Sequence, residues 1–192
     1  MSRVRRTFTE ISSLFMCGNR RAHDGAVMTP QSLQRYRISL AFFIVSLVLS
    51  GLTAFPLLTE LSFVSKMLGI HDPAAYASFT GLQHWIAFVH HGLSQTYATF
   101  PFVGYGTDWL AFGHLVIAMF FVGPWRDPVG NAWVLRVGLV ACACIVPLAM
   151  ICGAIRGIPF YWRLIDCSFG VFGALPLIYC LRLLRGVKIR LE

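Results

Sequence analysis

Four of the six histidines, His84, His90, His91 and His114, lie in one stretch, TGLQHWIAFVHHGLSQTYATFPFVGYGTDWLAFGH, which runs from Thr80 to His114. Imidazole is the commonest metal ligand, and histidines on membrane helices also hold haem iron axially. His84 and His91 are seven residues apart, so on a helix they diverge by only about 20° and present their rings side by side. A haem or metal site would pair His84 or His91 with His114 and recruit Glu60 or Asp108 as carboxylate support. No HExxH, ExxH or CxxC spacing accompanies these residues, so no dedicated metal-ligand set is expected. Acid/base or redox chemistry would instead draw on His114, Asp108, Asp166 and Arg163. His114 falls inside an apolar run, where an ionisable group marks a functional site by default.

The elements that must position these groups are membrane helices. The chain has 57% hydrophobic and 12% charged residues, against roughly 25% charged in an ordinary soluble domain. Its 192 residues suit four or five spans of about 20 residues with short connections. The net charge of +8 does not indicate nucleic acid, because the basic residues cluster at the two ends of the chain beside apolar runs, as lipid and the insertion machinery select. Five cysteines, Cys142, Cys144, Cys152, Cys167 and Cys180, fall within expected spans and behave there as small apolar residues. No disulfide framework is implied.

Residues 1–28 are basic, with Val4, Phe8, Ile11 and Phe15 at helical spacing, which suits either a surface helix or an unstructured tail. Thr29 and Pro30 then form a cap and first-turn signature. The spacing predicts spans over 38–59, 109–125, 137–155 and 164–181. Asp72-Pro73 predicts a short helical turn. Thr80 with Gln83 matches a capping box and starts a helix over about 80–100. In that helix Leu82, Trp85, Ile86, Val89, Leu93 and Tyr97 share an arc of about 120°, opposite Gln83, His84, His90 and His91. Gly104 to Gly106 reads as a turn, with Thr107-Asp108 capping the second span. Asp127 and Pro128 read as the cap and opening of the third.

Charge counting decides whether the helix at 80–100 spans. If it lies on the surface, 13 Lys and Arg share one side against three on the other; if it inserts, the split is 9 against 7. The positive-inside rule selects four spans, with both termini cytoplasmic and the helix on the outer side. Its polar face would also be costly in hydrocarbon.

Arg163 and Asp166, three apart, can pair at the start of the last span. With Arg156, Tyr161 and Trp162 they also suit a pocket for a polar head group. Gly153, Gly157, Gly170 and Gly173 permit close helix approach, within the chain or between copies. The runs YGTDWLAFGH, GPWRDPVGNAW and IRGIPFYWRLIDCSFG resemble those of small multi-pass bacterial membrane proteins, a resemblance that implies the architecture and no activity. The expectation is an all-α polytopic protein of the bacterial inner membrane, a single membrane domain over 30–192. It would act as an accessory subunit or a binder of lipid or another hydrophobic ligand. The alternative is a redox or lipid-modifying enzyme built on the outer-side histidines. Partners would be membrane lipids, a membrane protein or a second copy.

Overall fold

The computed structural model describes residues 28–188, so the surface helix considered for the N-terminal tail lies outside the described residues. The described residues are 86% helical. Among the described residues there is no strand, and four helices are long and apolar enough to cross a membrane. In order, the elements are α1 (Pro30–Ala54), α2 (Leu57–Met67), a 3-10 turn (Pro73–Ser78), α3 (Gly81–Thr99), α4 (Pro101–Phe120), α5 (Val122–Arg126), α6 (Ala132–Ile155) and α7 (Phe160–Lys188). The four candidate spans are Pro30–Ala54, Pro101–Arg126, Ala132–Ile155 and Phe160–Gly186. Their flanks are richly apolar and exposed, as helices facing hydrocarbon require; Ile155 is 79% exposed and Phe172 67%.

The spans stand where hydropathy puts them, and their ends are set by local chemistry. Thr29 accepts from Ser32 N at 3.3 Å through its hydroxyl, so the expected cap forms and Pro30 opens α1. The first span stops at Ala54 rather than residue 59, because Pro56 lacks the N–H that would continue the ladder. The second begins at Pro101, eight residues before the expected Trp109. Pro101 occupies the first helical position, where its missing N–H costs nothing. Gly104 and Gly106 do not turn the chain. Gly104 lies inside α4 against the Tyr97 ring, at a distance where a Cβ would make ordinary van der Waals contact. Tyr97 and Thr107 hydroxyls join at 2.8 Å.

The third span also starts later than its proline suggested. Asp127 Oδ1 accepts from Gly130 N at 3.0 Å and Asn131 Nδ2 donates to the Asp127 carbonyl at 3.1 Å, so a closed turn holds Pro128 and α6 starts at Ala132. α7 begins at Phe160, four residues before the expected Leu164, and continues past Leu181.

The chain divides into two compact units. Among the described residues, one comprises 28–44 and 120–188. Within it, α6 and α7 make the most extensive packing. A Cβ at Gly153 would meet Arg163, one at Gly170 would meet Cys142, and one at Gly138 would meet Leu177. These pairs run in opposite order along the two helices, which are therefore antiparallel. The N-terminal half of α1 joins them through Tyr36, fully buried, whose hydroxyl donates to the Pro124 carbonyl at 3.1 Å. Cys180 Sγ contacts the Tyr36 carbonyl at 3.6 Å, and Phe43 meets Phe121 edge-on at 4.7 Å.

The other unit, Val45–Met119, holds the end of α1, α2, the 3-10 turn, α3 and most of α4. α3 packs on α2 and on the 3-10 turn. Asp72 caps that turn as expected, accepting from Ala74 N at 2.9 Å. Helix α3 starts where predicted, but the capping box does not form: Thr80 makes no side-chain cap bond, and Gln83 Nε2 donates to the Leu68 carbonyl at 2.9 Å instead. Gln83 is thereby spent on tying α3 to the end of α2.

Candidate functional site

In the Val45–Met119 unit, the expected histidine pair is brought around one tyrosine. His84 Nδ1 donates to the Tyr76 carbonyl at 2.8 Å. The Tyr76 ring lies 6.0 Å from the His84 ring and 5.6 Å from that of His91, with Phe88 at 5.4 Å. The Asp72-Pro73 cap produces the turn that delivers Tyr76 to this spot. His84 and His91 thus share an aromatic cluster with their rings set against Tyr76.

His114 stands apart from that cluster. Its Nδ1 donates to the Leu110 carbonyl one turn earlier in α4, at 2.9 Å. Beside it α4 approaches α1 so closely that a Cβ on Gly51 would lie 2.9 Å from the Ala111 carbonyl and 3.1 Å from His114 Cβ. A histidine whose ring bonds its own helix beside a glycine contact is positioned by packing. Asp108 and Glu60 are half-buried. Among the described residues no group of three or more His, Cys, Asp or Glu is gathered as a metal site would require.

The histidine that the sequence reading passed over is the most firmly held. His90 from α3 sits between two serines of α2, with Ser65 Oγ 3.0 Å from Nδ1 and Ser62 Oγ 3.2 Å from Nε2. Ser65 is only 2% exposed. Burial pushes His90 below its ordinary pKa, so the neutral ring is favoured. A hydroxyl on each nitrogen satisfies that ring completely, because one nitrogen donates and the other accepts. The signal for this contact was Ser62 and Ser65 at i and i+3 on one face of α2.

In the other unit, Arg163 and Asp166 do not make the pair that their spacing allows. Arg163 Nη1 donates to the Met150 carbonyl at 3.4 Å, and its guanidinium carbon lies 5.4 Å from the Phe160 ring centre. Its aliphatic stem crosses Gly153 so closely that a Cβ there would fall 2.6 Å from Cδ. Asp166 instead faces an open cleft of about 280 Å³, formed where α6 ends and α7 begins. Ile145, Leu148, Ala149 and Cys152 wall it, and Arg156 and Asp166 supply its charge. Among the described residues no ion pair or hydrogen bond engages either of these two side chains. Of the residues expected to form a head-group pocket, Arg156 and Asp166 line the cleft, whereas Tyr161, Trp162 and Arg163 do not.

Comparison of the chain with protein-family models, with curated proteins and with solved structures finds no match.

Proposed function

We propose that this protein is a non-catalytic multi-pass membrane protein that binds a lipid, or a hydrophobic ligand like one, in the cleft between α6 and α7. The observation that carries this reading is the cleft itself. Its wall is aliphatic, its open side adjoins exposed Leu148 at 62%, and it carries Arg156 at one end and Asp166 about midway along. An apolar trough with a few convergent polar groups is the usual form of a small-ligand site. Here the trough runs along membrane-spanning helices, so the ligand reaches it sideways from the bilayer.

The enzymatic alternative draws less support. It needs His84, His91 and His114 to converge, and they belong to separate local clusters, one around Tyr76 and one on α4 at Leu110.

Full-length protein purified in mild detergent should retain co-purifying lipid, measured by native mass spectrometry. Ala149→Phe, which fills the middle of the cleft, should reduce the retained lipid several-fold while leaving the fold intact by circular dichroism. A lipid-free wild type, or undiminished retention in the variant, would sink the reading.

The same reading places the protein in a membrane of the bacterial inner type, with both termini in the cytoplasm. The support is the split of 13 basic residues against three that four spans produce. A reporter fused after Glu192 should therefore signal from the cytoplasm, and an external signal would overturn this orientation.

A further inference from the structure

The arrangement of the two charged groups narrows the ligand class, on the premise that the cleft binds lipid. Arg156 is the C-cap residue of α6, at the membrane-surface end of the cleft. The contact of Gly153 with Arg163 fixes the antiparallel register. In that register Asp166 is level with residue 150, six residues below Arg156, or about 9 Å deeper along the helix axis. The aliphatic wall continues to Ile145, eleven residues below Arg156 and about 16 Å down. That depth is close to half of the roughly 30 Å hydrocarbon core, the share of one leaflet.

The order from surface to interior is therefore Arg156 first, then Asp166 about midway beside Ala149, with Leu148 and Ile145 continuing the apolar wall beneath it. A ligand that matches it carries an anion outermost, a hydrogen-bond donor just beneath, and one hydrocarbon chain below that. The head group sets the number of chains: in a diacyl phospholipid both hydroxyls beneath the phosphate are esterified, so it offers Asp166 no donor. Its ester oxygens would instead face a carboxyl group that is left without a donor at depth.

We propose that the α6–α7 cleft binds a single-chain lysophospholipid, with Arg156 on the phosphate and Asp166 accepting from the free glycerol hydroxyl. Arg156 supplies the stronger, charge-assisted contact, which any phosphate-bearing lipid can make. Asp166 supplies the discrimination, because a site built to accept from a hydroxyl loses that bond when the hydroxyl is missing.

The test uses the full-length protein in detergent and native mass spectrometry with lysophosphatidic acid, its 2-deoxy analogue, and diacyl phosphatidic acid. Lysophosphatidic acid should bind about tenfold tighter than the deoxy analogue, the scale of one hydrogen bond to a charged group. Asp166→Leu should abolish that ratio, and Asp166→Asn, which keeps an acceptor, should preserve most of it. Arg156→Gln should weaken both single-chain ligands alike. Equal binding of the two single-chain lipids by wild type, or tighter binding of the diacyl lipid, overturns the head-group assignment while leaving a lipid site standing. Failure to bind any of the three, with no lipid retained from the membrane, overturns that assignment and the lipid-binding reading together.

Discussion

Gly170→Val should lower the thermal unfolding midpoint of the detergent-solubilised protein by roughly 5 °C or more. A Cβ at this position would lie 2.6 Å from the Cys142 carbonyl oxygen and 3.3 Å from Ile145 Cβ. The first obstacle is backbone, so no rotamer change can relieve it, and α7 must move away from α6. Helices in lipid gain little from burying apolar surface and depend on close van der Waals approach at small residues. Separation therefore removes the main attraction between them, and overpacking typically costs about 1–3 kcal/mol. Gly106→Ala and Gly113→Ala are the controls, since nothing lies within 4 Å of a Cβ at either position. They should melt like wild type or slightly above it, because alanine favours a helix over glycine. A Gly170→Val protein that melts with these controls would refute the close contact.

His90→Leu should destabilise the Val45–Met119 unit by about 1–3 kcal/mol, the usual cost of stranding a buried polar group. Ser65, at 2% exposure, loses its partner and has no water to turn to. Hydrogen exchange of the α2 and α3 amides should read the loss. Adding Ser65→Ala should recover much of it, since removing both members of a buried pair is nearly neutral. A double variant no more stable than the single would show that His90 contributes by packing alone.

The same residue sets a pH dependence. Its pKa is lowered in the fold by burial. The unfolded chain therefore takes up the proton first as the pH falls, and the stabilisation present above the ordinary value of 6.5 is lost as the pH drops through the folded pKa. Protection of α2 and α3 should decline in wild type as the pH falls below 6.5, and this decline should be smaller in His90→Leu.

What the sequence made legible follows from which forces act locally. Span number and placement were readable because about 20 apolar residues have one stable arrangement in a bilayer. The caps at Thr29 and Asp72 were readable because capping is decided within three residues. Features that failed were those where a distant contact outbids the local one. Gln83 left its capping box for the Leu68 carbonyl, and Gly104 sits inside the helix that Pro101 opens rather than in a turn. Arg163 and Asp166 had the right spacing to pair, yet the bare backbone of Gly153 let the arginine lie flat across α6 and reach Met150. The charged part of the cleft was legible, since Arg156 and Asp166 were expected in a head-group pocket, but its aliphatic wall on α6 joins that carboxyl group only once the register of the two helices is known. His90 was legible only as part of the polar face of its helix, because nothing in its own neighbourhood announces the two serines 25 and 28 residues earlier.

The crossing of Arg163 over Gly153 also ties the arginine to the shape of the cleft. A methyl group at position 153 would fall 2.6 Å from Arg163 Cδ, so the arginine stem must shift before any side chain fits there. Because Gly153 also lines the cleft, a change at either of these two positions alters its wall.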